Sequence, residues 1–122
     1  MPTRHQRRRT AGWRAPAGAV YVGRGTMWGN PWPVVRQADG DYGVPPVELG
    51  GPWPTFTHET DARTEALRLY RGWLAERPEM ASLARRKLAG RDLMCWCPTD
   101  QPCHADVLLE LANVPVPAAP SA

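Results

Sequence analysis

Apolar positions in the second half of the chain follow helical spacing twice and then run without interruption once. Ala66, Leu69, Tyr70, Trp73 and Leu74 predict a helix over 61–75 with Asp61 as its cap. Met80, Leu83, Ala84 and Leu88 predict a shorter helix opened by Pro78 and stopped by Gly90. Residues 93–97 are almost wholly apolar, which predicts a strand covered on both faces, as in a parallel sheet. Pro98 and Pro102 bracket a turn, and Cys103 or His104 opens a last helix with Val107, Leu108 and Leu111 inward. Upstream, residues 19–22 are a short β-prone run ended by Gly23-Arg24-Gly25. Prolines and glycines punctuate residues 26–58 so closely that long regular elements are excluded there. Trp28, Trp32 and Trp53 in that stretch predict a loop that packs back on the body. The expected architecture is a small single α/β domain, a short, mostly parallel sheet flanked by about three helices. It amounts to a fragment of a doubly wound fold.

At 122 residues there is room for one domain. Of the 15 Lys and Arg, five arginines lie within residues 1–14, where there is no acid; the other ten face all 12 Asp and Glu. The formal charge of +3 therefore describes a slightly acidic body with a basic arm. The division expected is a basic disordered arm over 1–18, a domain over 19–113 and a proline-rich tail over 114–122. Such an arm attracts nucleic-acid phosphates without reading sequence. No apolar stretch is long enough for a membrane span, and the basic N-terminus lacks the apolar core of a secretory signal. Three cysteines within nine residues are not a disulfide framework, so a reducing cytoplasm is expected.

Those cysteines carry the candidate chemistry. On a strand Cys95 and Cys97 project from one face, and the short turn returns Cys103 and His104 to its end. Three readings stay open. Cys95, Cys97, Cys103 and His104 form a Cys₃His donor set suited to zinc, which would staple a small core. Alternatively, Cys103 at a helix N-terminus is a reactive thiol beside His104, with Asp106 orienting the histidine or capping the turn. In the third reading the cysteines are small buried side chains beside a core histidine. The second candidate feature is the Gly23-Arg24-Gly25 turn. It follows a strand, its glycines allow close backbone approach, and Arg24 offers a fork for phosphate. Trp28 and Asn30 lie just downstream as a stacking ring and an amide for a base or sugar.

Tyr21-Val22-Gly23-Arg24-Gly25, Trp28-Gly29-Asn30-Pro31, Tyr70-Arg71 with Trp73-Leu74, and the C-W-C…C-H-A-D run ending at Asp106 resemble the domain of unknown function 4326 of phages and bacteria. The resemblance covers residues 19–113. Its relatives are similar to modules joined to domains acting on ADP-ribose-like nucleotide derivatives, which implies a nucleotide-linked role. The two turns also look similar to the ligand-facing turns of Rossmann-like proteins. The leading expectation is a nucleotide or nucleotide-sugar (ADP-ribose-like) binding or processing protein. Gly23, Arg24 and Gly25 would hold phosphate, and Cys103, His104 and Asp106 would supply acid–base groups. The alternatives are a zinc-stabilised nucleic-acid-binding adaptor and a phage-type interaction module without catalysis. The leading expectation requires the glycine turn and the cysteines to share one concave surface.

Overall fold

The computed structural model describes residues 2–47 and 50–113. The proline-rich tail over 114–122 lies outside them. Within them are a small parallel sheet, a small antiparallel sheet and three helices, a mixed α/β architecture. The parallel sheet contains β1 (Arg4–Gln6), β2 (Val20–Tyr21) and β6 (Leu93–Cys95), in the order β1-β6-β2. β6 is central, pairing Leu93 with both Arg4 and Val20. Leu93 and Cys95 are buried and Met94 is half-buried, so the apolar run marks the strand flanked by neighbours on both edges.

α1 (Glu59–Ala75), α2 (Pro78–Leu88) and α3 (His104–Asn113) pack on one another, and α3 also lies against β6. The helical stripes point inward as the spacing requires: Ala62, Ala66, Tyr70 and Leu74 on α1, Met80, Ala84 and Leu88 on α2, Val107 and Leu108 on α3. α2 carries Pro78 in its first turn, and Gly90 just beyond its end has φ +73°, a backbone conformation that side chains resist. No helix among the described residues is long and apolar enough to cross a membrane.

Three expectations need correction. His58, not Asp61, stands at the α1 N-cap; Asp61 falls within the first turn, where its charge complements the helix dipole. The segment 26–58 is more than a loop. It contains β3 (Val35–Arg36), β4 (Tyr42–Gly43) and β5 (Thr55–Phe56), an antiparallel sheet whose Val44 packs with Ala62 and Ala66 of α1. Each strand is two residues long, because the flanking turns and prolines leave no more chain free to pair.

The third correction concerns the arm. Arg4–Gln6 is a parallel strand on β6, and the Arg7 N–H extends the ladder to the Cys95 carbonyl at 2.7 Å. Thr3-Arg4-His5-Gln6 has no apolar alternation to announce a strand. The energy comes from the partner edge and from side-chain bonds: His5 Nε2 to Asp92 Oδ2 at 2.8 Å, and the Thr3 N–H to Asp92 Oδ1 at 3.0 Å. Asp92 is held below the usual carboxylate range, first by His5 and then by the Thr3 amide.

Candidate functional site

All three parallel strands run in one direction, so their carboxyl ends share one side of the sheet. From those ends emerge Arg7 after β1, the Gly23-Arg24-Gly25 turn after β2, and the cysteine loop after β6. In open α/β sheets this edge is where ligands sit. A cleft of about 480 Å³ lies there, lined by Tyr21, Gly23 and Arg24 together with Cys95, Cys97, Cys103 and His104. Arg63 and Ala66 of α1, together with Trp32 and Trp96, complete its walls. The two chain reversals, far apart in sequence, thus face one concavity.

The glycine turn is built for close approach. A Cβ on Gly23 would meet the Tyr21 ring at 2.5–2.7 Å, and Gly25 has φ +92°. Thr26 Oγ1 donates to the Gly23 carbonyl at 2.7 Å, and Tyr21 Oη donates to the Arg24 carbonyl at 3.1 Å. The Arg24 guanidinium has no hydrogen bond or ion pair with any described residue. An unengaged fork at a cleft wall is available to an anion.

The thiols line the same cleft. The sulfurs of Cys95, Cys97 and Cys103 all lie within 4.8 Å of one another, close enough to hold a metal ion. Cys95 and Cys103 are buried with sulfurs 3.1 Å apart, whereas Cys97 is half-buried. His104 stands beside this trio: Nδ1 is 3.5 Å from the Cys103 sulfur, and Nε2 is 2.7 Å from the Val22 carbonyl. A carbonyl can only accept, so Nε2 carries a proton, and Nδ1 faces the Cys103 sulfur. Tyr70 fixes the ring from the side, edge-on at 5.7 Å, while its hydroxyl donates to the Trp28 carbonyl at 2.7 Å. Burial raises the Tyr70 phenol, which stays a neutral donor.

Charge settles on Cys97. Hydrogen bonds from Cys103 and then Cys95 hold its thiol far below the ordinary range, with His104 and Arg63 assisting. Cys103 is pushed far up by those same contacts with Cys95 and Cys97 and by burial. The bond from Cys103 pulls Cys95 down, but Cys97 and burial outweigh it and the thiol is raised. Of the three thiols, Cys97 beside Arg63 is the one held low, and Cys95 and Cys103 are held high.

Arg4 organises the wall. Its side chain is only 7% exposed. Nε donates to Asp106 Oδ1 at 2.9 Å, Nη1 to the Cys97 and Pro98 carbonyls at 3.3 and 3.0 Å, and Nη2 to the Thr99 and Gln101 carbonyls at 3.2 and 2.9 Å. One planar fork thus gathers the loop that returns Cys103 to Cys95. Burial alone would lower this guanidinium's pKa, but the neighbouring thiol cluster and Asp106 more than restore it.

The structure separates the remaining candidates. Asp106 is engaged with Arg4 and does not orient His104, because its position on α3 faces β1. Trp28 is 6% exposed in the main core and is no platform for a base. Asn30 lines the cleft, but its Nδ2 donates to the Ala66 carbonyl and its Oδ1 accepts from the Trp32 N–H, tying the loop to α1. Trp32 and Trp96 are the indoles on the cleft, the latter 39% exposed. Sequence reasoning missed Arg4 and Arg63. For Arg63 the available signal was its position four residues after Glu59, with which it pairs at 3.1 Å. For Arg4 there was none.

Fold and site together define a small α/β domain with a ligand-sized cleft and a metal-capable thiol cluster at the carboxyl edge of a parallel sheet. The chain belongs to the family described as domain of unknown function (DUF4326), whose profile matches residues 5–114. That match takes in most of β1 as well as the cysteine loop. Neither a comparison with curated proteins nor one with solved structures gives a match.

Proposed function

We propose that this protein binds, and in that cleft acts on or presents, a small nucleotide-class anion, with zinc stapling one wall of the site. The observation that supports the reading is one cleft lined by Gly23 and Arg24, whose fork is unengaged among the described residues, and by the cysteine loop. Phosphate at the turn, with a ring against Trp32, uses the volume and the chemistry present. Calorimetric titration with adenosine monophosphate tests it. Arg24→Ala is expected to weaken binding at least about tenfold while the melting temperature is unchanged, the loss of one charged hydrogen bond. Equal affinity in the variant would remove the reading.

The donor set supports zinc. Three sulfurs are soft ligands, and a tetrahedral ion at ~2.3 Å from each would spread Cys95 and Cys103 from 3.1 Å to ~3.8 Å. The same geometry with an imidazole nitrogen asks for a nitrogen–sulfur edge of ~3.6 Å, close to the 3.5 Å between His104 Nδ1 and Cys103. The Val22 carbonyl on the other ring nitrogen is the outer partner that metal-bound histidines use. Three thiolates around a divalent ion leave one negative charge, and Arg4 and Arg63 stand near to offset it. Three free thiols also suit a reducing compartment such as the cytoplasm.

A further inference from the structure

Beyond the cleft, its mouth has a composition that the bound nucleotide alone does not use. The Arg7 guanidinium lies 4.8 Å from the Tyr21 ring centroid and 5.0 Å from that of Trp96, and Arg9 lies 4.9 Å from Trp96. Both rings line the cleft. Tyr21 in turn reaches the Arg24 backbone through its hydroxyl, so Arg7, Tyr21 and Arg24 are continuous along the rim. Among the described residues the guanidinium groups of Arg7, Arg9 and Arg24 have no carboxylate partner, so no internal charge competes with a ligand there.

A guanidinium held near an aromatic ring by its charge, with no side-chain hydrogen bond to a described residue, still has N–H donors to offer an anion. Arg7 and Arg9 are thus held in place by contacts that leave their anion-binding edges unused. Backbone pairing adds rigidity, since the Arg7 N–H is bonded to the Cys95 carbonyl. Because the indole of Trp96 is already occupied by arginines, the rim is suited to phosphate oxygens and not to a second base.

We infer that the mouth formed by Arg7, Arg9, Tyr21 and Trp96 is a seat for a second phosphate group, covalently joined to the nucleotide in the cleft. The inference rests on the cleft reading for the first phosphate and extends it to the ligand class. The favoured ligand carries either a pyrophosphate or a phosphodiester leading outward past Tyr21.

Titrations of the full chain at one ionic strength with adenosine monophosphate, adenosine diphosphate, the dinucleotide pApA and inorganic pyrophosphate test this. The diphosphate or pApA is expected to bind about tenfold or more tightly than the monophosphate, a charged hydrogen bond's worth. Whichever of the two gains identifies the linkage. In an Arg7→Gln/Arg9→Gln variant that gain is expected to vanish while monophosphate affinity stays the same, and pyrophosphate binding is lost. If the monophosphate binds but the second phosphate adds nothing, or if its gain survives the double substitution, the seat does not exist and the cleft reading stands. If no nucleotide binds and pyrophosphate is also ignored, both fall. Pyrophosphate binding that depends on Arg7 and Arg9 without nucleotide binding would keep the anion seat, end the cleft reading and overturn the joint ligand proposed.

Discussion

Replacing Arg4 with alanine is expected to lower the melting temperature by roughly 10 °C and to loosen the cysteine cluster. The substitution strips hydrogen bonds from four loop carbonyls and from Asp106 at once. Breaking a part-buried, hydrogen-bonded charge typically costs about 3 kcal/mol or more, and the cost is not the sum of the five bonds. For a domain of this size each kcal/mol moves the midpoint by a few degrees. Arg4→Lys is expected to recover little, since one ammonium cannot serve acceptors spread around a planar fork. Thermal melts, with alkylation of the three thiols followed by mass spectrometry, report stability and the loop separately. Buried Cys95 and Cys103 should become alkylated in Arg4→Ala under conditions where the parent protects them. A variant as stable as the parent, with those thiols still protected, would mean the loop holds its shape without the guanidinium.

The second large effect concerns the metal. The purified protein is expected to carry about one zinc per chain, lost in Cys95→Ser and Cys103→Ser. At free zinc 1,000-fold above Kd the ion contributes about 4 kcal/mol to the folded state, so a strong chelator should lower the melting temperature by more than 10 °C. The pH dependence follows from the thiols. Without metal the charge is on Cys97, while Cys95 and Cys103 are raised and protonated. Zinc binding therefore releases about two protons, and affinity should fall about a hundredfold per pH unit of acidification. Elemental analysis and chelator competition at several pH values measure both quantities. A chain that purifies without zinc and melts identically with and without chelator would leave the cluster as a packed thiol group with one charged member.

Much of the site was legible, though unevenly. The glycine turn and the thiols stand out as candidates by residue type and spacing, and both line the cleft. The roles of Trp28 and Asn30 are not legible in the sequence, for a shared reason. An indole or an amide has the same identity on a ligand wall as in a core or a loop tie, and only neighbours decide which. Trp28 found Tyr70, and Asn30 found the Ala66 carbonyl. Asp106 was equally ambiguous until Arg4 claimed its carboxylate.

The chain by itself determined its three helices and its central strand. Helical periodicity, a proline at a start and a glycine at a stop act within a few residues, and so does an unbroken apolar run. Tertiary structure alone decided that the arginine-rich start is a strand, because its stability comes from the β6 edge and from Asp92, nearly ninety positions away. It decided, too, that a guanidinium from that strand gathers the cysteine loop. Long-range pairing leaves no periodic trace in either partner, since each segment supplies only half of the interaction.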